Sequence, residues 1–105
     1  MNIQFKKGVL ELCVLSLLNE KDRYGYELVE EISNHIEISE GTIYPMLRRF
    51  RNEGYVRTYL EESSSGPPRK YYEITQEGAM FYVAQRREWE EFVTTVNDLL
   101  RRKMQ

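Results

Sequence analysis

The apolar run VLELCVLSLL, residues 9–18, limits more than any other stretch what this chain can become. Val9, Leu10, Leu12, Cys13, Val14, Leu15, Leu17 and Leu18 cover almost the whole circumference of a helix running from residue 4 to about 19. A helix that is apolar nearly all round must be buried on most of its sides. The chain's 105 residues suffice for one core and one extra element. So small a domain has few places to hide such a helix, and part of its surface is expected to meet a second chain. Lys6 and Lys7 ahead of the run give the outline of a secretion signal, but Glu11 interrupts it and NEKD follows where small residues would mark cleavage. The run is also well short of the roughly 20 residues that span a bilayer. A cytoplasmic protein with no membrane segment is expected. Cys13 is the only cysteine, which leaves no internal disulfide and no cysteine-based metal site, and its apolar setting suits a buried small hydrophobe.

Beyond NEKDRYGYE the apolar pattern resumes with Leu28, Val29, Ile32 and Ile36, giving a second helix over residues 24 to about 34. The turn HIEI leads to Ser39, an N-cap candidate. A third helix follows, on which Ile43, Met46, Leu47 and Phe50 recur as one buried face, and Asn52–Gly54 end it. YVRTYLEE and RKYYEI then alternate like strands, with Val56, Thr58 and Leu60 on one side of the first and Lys70, Tyr72 and Ile74 on one side of the second. SSSGPP between them reads as a loop too long for a two-residue turn, hence a hairpin with a mobile tip. Thr75 can cap a last helix running to near Arg102, on which Tyr82, Gln85, Trp89, Phe92, Val96 and Leu99 follow coiled-coil spacing, widened by Val93 and Leu100. The order implies a mainly α (α+β) fold: a winged helix-turn-helix domain over residues 1–75 and a C-terminal dimerisation helix over residues 76–105.

Pro45 interrupts the third helix, where it removes a backbone donor and its ring meets the carbonyl four residues back. That carbonyl belongs to Gly41, whose backbone can tilt at little steric cost. Because proline also disfavours α geometry at Tyr44, the helix is expected to begin later than Ser39 suggests. At 100° per residue, Gly41, Pro45, Arg48 and Asn52 face away from the core, with Thr42 and Arg49 on one border and Tyr44 and Arg51 on the other. The exposed start thus offers small residues for close approach, hydroxyls from Thr42 and Tyr44, and an arginine able to pair bidentately with guanine. Net charge is −2, so the whole chain gives no hint of a polyanionic partner, yet Gly41–Thr58 holds four arginines against Glu53 alone. An ordinary surface helix also carries arginines, and a solvated hairpin also carries an Arg69–Lys70 pair. Their occurrence together, in this order, points to a helix and wing that grip duplex DNA.

YGYELVEEI, SEGTIYPMLRRFRNEGYV and GPPRKYYEITQEG, in series from about Gly8 to Tyr82, closely resemble the PadR family of bacterial transcriptional regulators. Phe50 stands where that family usually has leucine, a conservative core swap. The resemblance implies a homodimeric winged helix repressor of a palindromic operator, often released by a small aromatic compound. It puts Tyr26, Thr42, Tyr44 and Arg48 at DNA-proximal helix positions and Arg69 and Lys70 in the wing; Ser39 and Arg49 complete the candidate contacts. Two-fold symmetry would set the recognition helices about 34 Å apart on one DNA face. Trp89 is either a plain interface tryptophan or, paired near the dimer axis, a platform for a planar aromatic effector walled by Phe92 and Val93.

Catalysis finds no support: His35 is the only histidine, no Ser/His/Asp set or phosphate loop occurs, and the acidic residues scatter along helices. No cofactor is expected. The competing reading is a winged helix kept for protein–protein interaction, without DNA.

Overall fold

The computed structural model describes the backbone of residues 3–102 and the side chains from Lys7 onward. Residues 1–2 and 103–105, the outer ends of the two units expected from sequence, lie outside the described residues. The apolar run folds as α1 (Ile3–Glu20), and none of its residues from Val9 to Leu18 is exposed. Around α1 come β1 (Arg23–Tyr24), α2 (Gly25–Ser33), α3 (Glu40–Asn52), β2 (Val56–Ser63), β3 (Gly66–Ile74) and α4 (Gln76–Arg102). The strands form one antiparallel sheet in the order β1-β3-β2. This is the winged helix-turn-helix with an appended long helix that the sequence predicts.

Leu10, Val14, Leu15 and Leu18 of α1 pack against Leu28, Val29 and Ile32 of α2, Ile43, Met46, Leu47 and Phe50 of α3, and Val56 and Tyr72 of the sheet. Each fully buried aliphatic side chain here contributes about 1.5–3 kcal/mol of transfer free energy. The first turns of α4 join the same core through Tyr82, while Phe81 stacks on Tyr55 with ring centroids 4.3 Å apart. Among the described residues, no helix is long and apolar enough to cross a membrane.

Three local expectations are corrected. First, α3 starts at Glu40, immediately after Ser39, and runs unbroken through Pro45. The four core anchors of α3 hold the backbone helical despite the proline. Ser39 does take the N-cap position, but its hydroxyl caps no backbone amide and lies 3.5 Å from the Thr42 hydroxyl. Second, the hairpin turns on Ser64 and Ser65 alone, with Ser63 paired to Gly66. Pro67 and Pro68 belong to β3 rather than to a loop. They fit because the ladder is irregular between Glu61 and Ser63, and β1, pairing only at Tyr71 and Tyr72, leaves that stretch of β3 with a free edge. Third, β1 has no counterpart in the sequence reading, since two residues carry no periodicity.

Two ends are built as predicted. After α3, Gly54 adopts φ +81°, Tyr55 N–H donates to the Phe50 carbonyl (2.9 Å) and Gly54 N–H to that of Arg51 (3.1 Å). This is a Schellman motif, with the Phe50 and Tyr55 rings in contact across it. Thr75 caps α4: its hydroxyl accepts from Gly78 N–H (3.0 Å) and donates to the Gly54 carbonyl (2.7 Å), tying the two helix ends together. A methyl group at Gly78 would collide with the Tyr55 carbonyl oxygen, so only glycine lets α4 dock this closely.

Candidate nucleic-acid interface

The outward surface of α3 follows from its periodicity. With Ile43, Met46, Leu47 and Phe50 buried, Gly41, Pro45, Arg48 and Asn52 are all exposed, and Thr42 and Tyr44 are half-buried at the two borders. The Tyr44 border leans on α2. Its ring lies so close to Gly25 that a Cβ there would overlap it, and burial, followed by Glu40, Tyr72 and Tyr26, raises the phenol above its ordinary pKa. Tyr26 itself, one residue into α2, is exposed. The start of α2 is fixed by the Tyr24 amide, which donates to the Glu27 carboxylate at 3.1 Å.

The opposite border of α3 leans on α1. Arg49 donates to Glu11, approaches Glu53 at 3.9 Å, and lies over the Phe50 ring. The geometry therefore does not group Arg49 with Arg48: one guanidinium joins two helices, while the other has no carboxylate partner among the described residues. A groove between α1 and α3 is lined here by Lys7, Glu11, Gly41, Thr42, Pro45 and Arg49.

Arg69 and Lys70 are neighbours in sequence but point to opposite faces of the hairpin. Lys70 pairs with Leu60 and shares the face of Thr58 and Tyr72, which turns toward the helices. Burial raises the Tyr72 phenol, while the Arg51 and Arg48 guanidiniums, close enough to favour its phenolate, pull it partly back. Arg48 and Arg51 thus lie near Tyr72, and Lys70 stands on the same face of β3, two residues nearer the hairpin tip. Arg69 lies on the outer face, its guanidinium 4.7 Å from the Tyr24 ring centroid. Tyr24 in turn meets Tyr71 (5.6 Å), Tyr71 stacks on Tyr59 (5.5 Å), and the Tyr59 hydroxyl donates to Asp22 at 2.7 Å. This row of aromatic rings anchors the wing to the body. This row was not legible in the sequence, because it depends on β1; Arg51, placed there on the Tyr44 border, was not among the candidate contacts.

On the far side of the molecule α4 crosses α1. Tyr82 hydrogen-bonds Ser16 (3.2 Å) and accepts from Arg86 (3.1 Å), which also pairs with Glu90 (2.7 Å). Trp89 is half-buried and lines grooves on both flanks of α1. Phe92 shares one of these with Val9, Leu12, Leu15 and Phe81, whereas Val93 is not among its walls. Further along, Leu99 and Leu100 are 57% and 63% exposed on the same stripe.

A family model, the transcriptional regulator PadR-like family, matches residues 14–83, from the middle of α1 to the second turn of α4. The chain belongs to the PadR-like family. Its fold superposes on a PadR-like transcriptional regulator from Bacillus cereus with a TM-score of 0.84 and 42% identity, covering 92% of this chain and 96% of that one. A Streptococcus transcriptional regulator gives a TM-score of 0.85 at 34% identity, covering 93% and 98% of the two chains. An uncharacterised protein of Lysinibacillus sphaericus is 38% identical over 89 residues, 81% of this chain and 82% of that one. PadR-like proteins are DNA-binding transcriptional regulators rather than enzymes, and this chain matches them over the segment carrying α2, α3 and the wing.

Proposed function

We propose that this chain is a sequence-specific repressor that binds a palindromic operator as a homodimer and releases it on binding a planar aromatic compound. The observation that carries the DNA-binding part is the exposed outward face of α3, on which Arg48 has no carboxylate partner among the described residues. An α-helix fits the major groove, and helix-turn-helix proteins enter it with the N-terminal part of the second helix. In this reading Arg48 reads a base edge, while Tyr26, Ser39, Thr42, Tyr44, Arg49, Arg69 and Lys70 contact or position the backbone. Residues 76–105 serve as the dimer arm, a role supported by the exposed apolar stripe of Phe92, Leu99 and Leu100. Trp89, in a groove between α1 and α4, is the effector platform, with Phe92 as an apolar wall. The protein acts in the cytoplasm.

The test is binding to duplex DNA across salt. A dimer making roughly 6–10 phosphate contacts should lose about 10³–10⁵ in affinity between 50 and 200 mM salt. Arg48→Ala should relax preference at one base position, costing about 1–3 kcal/mol there. Equal, weak and salt-insensitive retention of both proteins would favour a protein-interaction module. Quenching of Trp89 fluorescence by planar aromatics tests the effector role; no quenching, with Trp89→Ala leaving regulation intact, would remove it.

A further inference from the structure

We propose that Lys7, on the second turn of α1, is a backbone-phosphate contact that closes the DNA interface on the side of α3 away from the wing. The assignment rests on the DNA-binding reading above and extends it to an element outside the helix-turn-helix and wing. An inserted helix lies between two phosphate strands, because the major groove is only about 12 Å wide. A protein that holds such a helix in register therefore meets phosphates on both flanks. On one flank stand Arg48 and Arg51, near Tyr72 of β3, whose helix-facing side also carries Lys70. The other flank is the Thr42–Arg49 border, and the element there is α1.

Among the described side chains, Arg49 and Lys7 are the cations lining that flank, and of these Lys7 is uncommitted. Arg49 is bound to Glu11 and lies over Phe50, so its charge is largely answered within the protein. Lys7 is exposed, and among the described residues no carboxylate lies within ion-pair distance of it. It lines the same groove as Gly41, Thr42 and Pro45, which include two of the four residues on the outward face of α3. Its ammonium thus borders the surface that enters DNA, on a long flexible stem suited to a phosphate rather than a base edge. Glu11, one turn further along α1, has its carboxylate occupied by Arg49 and does not oppose the ammonium.

The distinguishing readout is the salt slope. On a mixed-sequence duplex of about 30 base pairs, roughly three helical turns, the full-length protein and Lys7→Gln are titrated at several salt concentrations. Each lost phosphate contact lowers the slope of log K against log salt by about 0.9, so a dimer losing two contacts should lose about 1.8. The loss should be the same on any duplex, selected or mixed, and Lys7→Arg should keep most of the wild-type slope. Arg87→Gln, which removes an exposed charge on α4, should leave the slope unchanged. A wild-type slope in Lys7→Gln overturns the assignment, as does an equal loss in Arg87→Gln, which would mean that total charge rather than position is being read. Wild-type protein that does not bind duplex DNA removes the interface itself, and Lys7 with it.

Discussion

Phe50 shows how much one side chain decides in a core this small. It is fully buried, it anchors α3, and its ring contacts both Tyr55 and the Arg49 guanidinium. Truncation to alanine leaves a cavity beneath the recognition helix and should cost about 3–5 kcal/mol. Denaturant unfolding followed by circular dichroism checks this, with a smaller loss expected for Phe50→Leu. A destabilisation of Phe50→Ala under 1 kcal/mol would mean that α3 is not held from below as described. Residue-level chemistry was legible where it was local. The outward position of Arg48 follows from helical spacing, and the opposed faces of Arg69 and Lys70 follow from strand spacing. The Arg49–Glu11 pair was not legible, because its partners stand 38 positions apart and only the docking of α1 on α3 brings them together.

At the scale of elements, the wing is tied to the body by its aromatic row. The hydrogen bond to Asp22 is the main cause that pushes the Tyr59 phenol up to about 12. A raised phenol pKa means the folded state retains the proton. The contribution of this bond is therefore fully present below about pH 10, where an unfolded phenol titrates, and is lost as pH rises toward about 12. In an alkaline titration followed by tyrosinate absorbance, the tyrosine that lags furthest should be Tyr59, and Asp22→Ala should return it toward about 10. If Asp22→Ala leaves the titration unchanged, the Asp22–Tyr59 link is not formed in solution. The helices were legible in sequence because each carries several turns of periodic burial. The two-residue β1 and the Ser64–Ser65 turn were not: the first has no period, and proline in a strand is accepted only at an edge or irregularity, which depends on what lies alongside.

At the scale of the whole molecule, shape and apolar surface point the same way. The longest dimension is 60 Å against 28 and 20 Å, and the 27 residues of α4 span about 40 Å of it at 1.5 Å per residue. A stripe ending in exposed Leu99 and Leu100 suits a two-fold partner that covers it. Leu100→Glu should leave the protomer folded and weaken self-association roughly a hundredfold or more, since each of two symmetric leucines buries about 1.5–3 kcal/mol of surface. Sedimentation equilibrium measures this; a wild-type protein that stays a single chain at high concentration contradicts it.

The central claim is that α3 is presented twice, by a symmetric pair, to the grooves of duplex DNA. Selecting bound duplexes from a random pool tests it most directly. The account predicts an enriched palindrome whose half-site centres lie about one helical turn, roughly 34 Å, or a whole multiple of it apart. Enrichment of a single asymmetric site, or of no sequence at all, would contradict it.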